Sequence, residues 1–356
     1  MVKRFNHRQD VVQVVNLRTS QSQVSNLRYG ETIASQESRM VGMDGVLIID
    51  KPAGMTSHDV VARVRKITAH RRVGHTGTLD PFATGVLVML VGGATRLAQF
   101  LSGAEKEYEA VIRLGFATDT ADVTGTRVTN FTTETQRHTE LHREEIEKAI
   151  ASLRGEIEQT PPMYSAKKVG GRRLYELARR GEEIEREPVR VNISEFESLT
   201  HDGARLTPND HGDHNLKVRV VCSAGTYIRT LAEDFGKKLG VGAHLAELRR
   251  TRAGQFKIAD ALTLDRLSEE ALSGSLDQVL ISPDAALAHL PVTELTPDDA
   301  RRVVQGIDLQ IEETNGSPWP NGQAVRLRNT DGRLIAVGIY EEGRRTVHPQ
   351  VVIVNA

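Results

Sequence analysis

Two short stretches of this sequence concentrate residue types that can do chemistry. The first is Gly74-His75-Thr76-Gly77-Thr78-Leu79-Asp80-Pro81-Phe82-Ala83-Thr84-Gly85. Three glycines allow tight turns or close approach of backbone. Proline after Asp80 pushes the aspartate out of the helical region, so its carboxylate is presented from a structured loop. Asp-Pro is also ordinary turn punctuation. The second stretch is Cys222-Ser223-Ala224-Gly225-Thr226-Tyr227-Ile228-Arg229-Thr230-Leu231. A strand ends here, a glycine turns the chain, and a helix starts. Arg229 stands in the first turn, where the helix dipole prefers acids. An arginine there calls for a partner, a carboxylate or a phosphate, unless it simply faces solvent.

Other patterns offer less. Ser165-Ala166-Lys167-Lys168 has S-x-x-K spacing, but the companion motifs of acyl-enzyme families are missing. His138 and His142, and His211 and His214, lie in or beside polar stretches with no third ligand, so no metal site is expected. Neither a phosphate-cradling G-x-x-x-x-G-K-[ST] loop nor a convincing G-x-G-x-x-G occurs.

The surrounding sequence predicts the elements that hold these loops. Gly45–Ile49 and Val86–Val91 read as short buried strands. Thr56 or Ser57 can cap a helix that buries Val60, Val61, Val64 and Ile67 and turns its arginines outward. Glu107–Phe116 alternates like a half-buried strand, and Arg143–Leu153 reads as an amphipathic helix. Leu216–Cys222 is a strand followed by a helix from about Thr226 to Leu239, burying Ile228, Leu231, Phe235 and Leu239. Residues 1–42 read as a loosely ordered polar extension, with Met40 or Met43 as an alternative start. Thr129–His142 and His201–Asn215 read as surface insertions. Beyond Leu290-Pro291, short strands at Ala324–Arg328, Leu334–Tyr340 and Val351–Val354 predict a small β-rich domain. The chain is therefore expected to divide into 1–42, a mixed domain at 43–289 and a second, β-rich domain at 290–356.

Composition excludes several classes. The chain has 356 residues, of which 39% are hydrophobic and 26% charged, as in ordinary globular proteins. The longest uninterrupted apolar run, Val86–Val91, is far shorter than the roughly 20 residues of a membrane helix. Met1–Gly30 is polar and lacks the apolar core of a secretory signal, and Cys222 is the lone cysteine, so a cytoplasmic location is expected. Net charge is −1, yet unevenly spread. Residues 258–356 carry 8 basic against 15 acidic side chains, leaving 38 against 32 for the rest. Arg63–Arg72 holds five basic residues and no acid, and residues 163–190 hold eight basic side chains. Such clusters can form a phosphate-binding footprint on a chain that is neutral overall.

Taken together, the blocks Gly45–Ser57 (GVLIIDKPAGMTS), Val73–Gly85 (VGHTGTLDPFATG), Met163–Glu176 (MYSAKKVGGRRLYE), Cys222–Arg229 (CSAGTYIR) and Gly242–Arg250 (GAHLAELRR) resemble, in order, the TruB-type tRNA pseudouridine synthases. The resemblance spans about residues 43–290, with a weaker likeness to a PUA-like RNA-binding domain afterwards. It implies an α+β catalytic domain around an extended, mostly antiparallel sheet with the cleft across its middle, plus a small β-rich PUA-like C-terminal domain. The implied activity is isomerisation of uridine 55 (tRNA numbering) in the TΨC arm to pseudouridine, without cofactor or metal. The implied partner is the T-arm stem-loop of tRNA; the enzyme is expected to act as a monomer with no obligate protein partner and no membrane. By the same resemblance, Asp80 is the catalytic aspartate, Arg229 its ion-pair partner, and Tyr108 stacks on the target uracil. His75 and Tyr227 belong to the substrate-binding set, as do Lys51, Lys167 and Arg172. Residues 163–190 resemble a segment that closes over bound RNA.

A physical reason supports the pair. An enclosed pocket desolvates an aspartate and favours its neutral, non-nucleophilic form, while a nearby guanidinium opposes this. Asp80 and Arg229 are therefore expected in contact, with the carboxylate kept ionised.

Overall fold

The computed structural model describes residues 44–128, 142–165, 167–178, 180–182, 184–199, 214–311 and 319–353. The N-terminal extension and nearly all of both expected insertions lie outside the described residues.

In chain order the strands are β1 (Gly45–Lys51), β2 (Val73–His75), β3 (Thr84–Val91), β4 (Lys106–Leu114), β5 (Ala117–Thr118), β6 (Arg127–Val128), β7 (Gly155–Gln159), β8 (Lys168–Val169), β9 (Arg172–Arg173), β10 (Val189–Ser198), β11 (His214–Cys222), β12 (Ala243–Ala253), β13 (Phe256–Lys257), β14 (Val292–Glu294), β15 (Leu309–Gln310), β16 (Ala324–Arg328), β17 (Leu334–Glu341) and β18 (Thr346–Val352). The α-helices are α1 (Ser57–Ile67), α2 (Ala98–Ser102), α3 (Arg143–Ala151), α4 (Leu174–Ala178), α5 (Ile228–Leu239), α6 (Leu264–Ser273), α7 (Leu276–Val279), α8 (Pro283–Ala286) and α9 (Pro297–Val304).

One large sheet runs β1-β3-β12-β4-β11-β10-β7, with β2 on β3 and β13 on β12. Its pairings are antiparallel except β12 with β3. This is the mostly antiparallel α+β architecture that the family resemblance implies. The two faces of β1 and β3 explain their continuous apolar runs. Leu47, Ile49, Leu87 and Met89 pack on Val60, Val61 and Val64 of α1 and Leu267 of α6. The alternate residues Val46, Ile48, Val86, Val88 and Leu90 join a second cluster with Leu334, Val337 and Val351 of the C-terminal sheet. A strand covered on both faces has no room for alternation.

β4, in the middle of the sheet, alternates instead. Tyr108, Ala110, Ile112 and Leu114 point inward against Ile146 and Ile150 of α3 and Leu231 and Phe235 of α5. The opposite face is charged: Arg219 binds Glu107, Glu195 and Glu197 there. Thr56 caps α1 as expected, its hydroxyl accepting from the Asp59 amide while Asp59 reaches back to the Thr56 amide. Helix α5 begins at Ile228 rather than Thr226, because the Tyr227 backbone is extended.

The C-terminal sheet runs β14-β16-β17-β18-β15. Its last strand starts at Thr346, five residues before the expected Val351. Pro349 interrupts the apolar pattern, and the structure seats it opposite Gly338 at an irregularity in the ladder, where a missing N–H is tolerated. Asp284 of α8 holds Arg326 and Arg328 of β16, tying the two sheets together.

Candidate active site

The loop between β2 and β3 is held from several sides. The Ser57 hydroxyl accepts from the Leu79 amide at 2.9 Å and lies 3.2 Å from its carbonyl. The Gly54 amide donates to the Pro81 carbonyl at 2.8 Å. Lys51, fully buried, donates to the carbonyls of Pro52, Met55 and Pro81 at 2.8, 2.7 and 3.2 Å. From the other side Arg250 donates to the Gly77 carbonyl at 3.0 Å and the Val86 carbonyl at 2.7 Å.

The loop closes at Gly85, whose φ is +101°, with the Arg250 backbone so close that a Cβ would collide with its carbonyl oxygen. Both strain and overlap therefore forbid a side chain. Gly85→Ala should cost about 3 kcal/mol and lower the melting temperature; an unchanged melt would show that the loop can relax around the methyl group.

This frame puts Asp80 against Arg229. Arg229 Nε lies 2.8 Å from Asp80 Oδ2, and Nη2 donates to Oδ1 at 3.1 Å, a two-pronged pair. The arginine is 4% exposed. Its remaining donors go to the Tyr164 carbonyl at 2.7 Å and the Thr120 carbonyl at 3.2 Å, and Nη1 stands 3.6 Å from Asp122 Oδ2. Asp122 is buried, and its other oxygen accepts from Thr120 Oγ1, the Thr124 amide and Thr124 Oγ1. The helix bearing Arg229 is itself gripped at its start. The fully buried Gln159 side chain accepts from the Tyr227 amide at 3.0 Å and donates to its carbonyl at 3.3 Å.

The pair opens into a pocket of about 260 Å³ whose lining includes Asp80, Tyr108, Ser165, Tyr227, Leu248 and Arg250. Tyr108 is opposite Arg250 in the β4–β12 register, so the tyrosine and a second guanidinium share the pocket wall. Burial pushes the Asp80 carboxyl above its ordinary range; the Arg229 charge pulls it back, while Asp122 adds to the rise. The opposing effects are those expected from the sequence, but desolvation outweighs the guanidinium. Burial likewise raises the Tyr108 phenol, partly offset by Arg250, and lowers the His75 imidazole. Lys51 and Lys106 are each pushed down to about 8 by burial.

Of the residues expected at the site, Asp80, Arg229, Tyr108 and Tyr227 come together in this pocket. Lys51 does not. It has no exposed surface, and its ammonium holds three carbonyls, including that of Pro81 in the loop. His75 stands beside the pocket, its ring 5.7 Å from that of His58 and its Nδ1 accepting from the Gly77 amide. Lys167 is half-buried and Arg172 exposed, both outside the pocket lining. Asp122, Gln159 and Arg250 were not singled out from the sequence. Strand parity offered a signal for one of them: with Arg249 outward on Asp50, Arg250 must face in. Among the described residues no cluster of three or more side chains could hold a metal ion, and no helix is long and apolar enough to cross a membrane.

An aspartate from the β2–β3 loop, an arginine from α5 and a tyrosine from β4 thus meet at one pocket of the sheet. Residues 65–228 match the family described as TruB family pseudouridylate synthase (N terminal domain), and residues 229–288 match the tRNA pseudouridylate synthase B C-terminal domain. The chain belongs to the TruB family of pseudouridylate synthases, and is an enzyme. It is 46% identical over 269 residues to tRNA pseudouridine synthase B of Geobacillus thermodenitrificans, covering 76% of this chain and 86% of that one. Identity to the Bacillus cytotoxicus protein of the same name is 43% over 321 residues, covering 88% and 98%. Among solved structures, a chain in a Cbf5-Nop10-Gar1 complex superposes with a TM-score of 0.66 at 28% identity, covering 87% of this chain and 85% of that one. A chain in an H/ACA RNP bound to a substrate RNA containing 2'-deoxyuridine gives 0.64 at 27%, with the same coverage.

Proposed function

We propose that this enzyme converts uridine 55 (tRNA numbering) of the tRNA T-arm to pseudouridine, on a base flipped out of the RNA, with Asp80 as nucleophile. The observation that carries this reading is the two-pronged Asp80–Arg229 pair at the edge of a pocket walled by Tyr108. Making pseudouridine breaks the N1–C1′ bond, turns the uracil over and joins C5 to C1′. The C5 proton leaves and N1 ends protonated, so the reaction has no net redox change. It needs a group that attacks and later departs, which a carboxylate does well. A uracil still stacked in a helix cannot turn over beside Asp80, so the nucleotide must swing out. Tyr108 offers a flat face for it, where stacking is worth about 1–3 kcal/mol per base. The exposed Arg63, Lys66 and Arg172 provide charge for RNA phosphates.

The relatives named tRNA pseudouridine synthase B are 40–46% identical to this chain. The chains in the two ribonucleoprotein complexes are 27–28% identical. That difference favours a stand-alone tRNA enzyme over one directed by guide RNA, and the intact Asp80, Tyr108 and Arg229 favour an enzyme over a non-catalytic RNA-binding module. The test is purified protein with a tRNA transcript and no other component, with pseudouridine mapped by position. Product at position 55 alone is expected; product only when a second RNA is supplied would refute the stand-alone reading.

The same assay isolates the phenol. Tyr108→Phe keeps the ring face but removes the hydroxyl. If the phenol takes part in removing the C5 proton, single-turnover rate should fall by about 10²-fold or more with RNA affinity unchanged. A wild-type rate would confine Tyr108 to stacking.

A further inference from the structure

We propose that the Ser165 hydroxyl hydrogen-bonds a carbonyl of the flipped uracil, replacing a partner that the base loses when it leaves the RNA. The proposal rests on the reading of this pocket as the uridine site. Ser165 is 6% exposed, and its Oγ has no hydrogen-bond partner among the described residues. Leaving a buried hydroxyl unpaired is costly, so such a group in a pocket wall points to a ligand.

The neighbours make the case specific. Ser165 lines the same pocket as Asp80, Tyr108 and Arg229. Its place is fixed by the preceding residue, since the Tyr164 carbonyl accepts from Arg229 at 2.7 Å. Four other polar side chains of the lining are already engaged with the protein. Ser102 donates to the Ala98 carbonyl, and Lys106 to the carbonyls of Ser102 and Ala104. Ser223 accepts from the Asn192 amide, and Thr226 donates to the Ser223 carbonyl. The Ser165 Oγ is unpaired but closed to solvent, so a turn of its side chain toward the pocket would offer its donor and lone pairs to a base whose O2, N3–H and O4 have just been stripped of partners. The S-x-x-K spacing that drew attention to this serine is thus unrelated to acyl transfer.

The test is a two-by-three comparison in single-turnover kinetics. Wild type and Ser165→Ala are each given T-arm stem-loops whose target is uridine, 2-thiouridine or 4-thiouridine. Sulfur accepts hydrogen bonds poorly. Ser165→Ala should lose about tenfold on uridine. Thio-substitution at the contacted oxygen should slow wild type by a similar factor and add little to the variant, and which sulfur does so identifies the atom. A merely structural serine would give additive penalties at both positions; that result, or an unimpaired Ser165→Ala, overturns the proposal. If Ser165→Ala melts below wild type, Ser165→Cys, close in size with a weak donor, carries the same comparison. Wild type that makes no pseudouridine in the uridine stem-loop would overturn the uridine-site reading itself, whereas an active wild type beside an indifferent variant sinks only the serine assignment.

Discussion

Asp80→Asn should abolish pseudouridine formation, by about 10⁴-fold or more, as removal of a nucleophile does in other covalent mechanisms. RNA affinity should stay within a few-fold of wild type, because the variant keeps the pocket, the Tyr108 face and the exposed cations. The fold should survive for a reason visible in the site. Arg229 would still hold the carbonyls of Thr120 and Tyr164 and keep Asp122 beside it. Stability carries a further signature. The Asp80 carboxyl is raised in the folded protein, chiefly by desolvation. A carboxyl so shifted favours the fold while protonated, and that advantage is lost as pH rises through the folded-state value. As pH rises, wild type therefore bears a growing cost of ionising a partly buried group, a cost that asparagine removes. Asp80→Asn should melt no lower than wild type at pH 7, with the difference shrinking toward acid. A variant that retains turnover ends the nucleophile assignment; one that melts well below wild type at pH 7 contradicts the electrostatic account.

The parts of this arrangement that sequence made legible are those governed by local rules. The capped α1, the fully apolar β1 and β3 and the alternation of β4 follow from period and from capping chemistry within a few residues. The Asp80–Arg229 pair spans 149 positions, and two kinds of argument reached it: family resemblance and the need for a cation beside a desolvated carboxylate. Asp122 escaped because its significance lies in what it faces. In sequence it is one acid among turn residues, Asp119 to Gly125; only the parallel bridge from Asp122 to Leu245 of β12 brings it under Arg229. Gln159 was hidden for the same reason, being the end of an edge strand whose amide grips the backbone of Tyr227, 68 residues away. Lys51 was placed near the site only by the resemblance; what sequence could not show is that the chain turns back around it, so that the carbonyls of Pro52, Met55 and Pro81 accept from its ammonium. Its pKa of about 8 shows how far burial works against the charge.

Arg229→Lys should lower turnover by at least about 10²-fold while leaving RNA binding nearly intact, although it preserves charge. The guanidinium meets two oxygens of Asp80 and two carbonyls from four directions in one plane, at 4% exposure. An ammonium has three protons on one atom and cannot span that set, so a buried carbonyl and part of the Asp80 carboxylate lose their partner. Breaking such a buried arrangement costs about 3–5 kcal/mol, which is also the scale of the rate loss. The sign on pH follows from the site. Arg229 is the main influence pulling the Asp80 carboxyl down against desolvation. Weakening it moves that carboxyl further up, and since the ionised form is the one that attacks, the acidic limb of the pH–rate profile should shift to higher pH. Wild type should already show that limb above the ordinary aspartate range. A merely structural arginine would lower the amount of active enzyme without moving the limb. A Lys variant with unchanged turnover, or with reduced turnover and an unshifted limb, would show that the guanidinium does not govern the charge on Asp80.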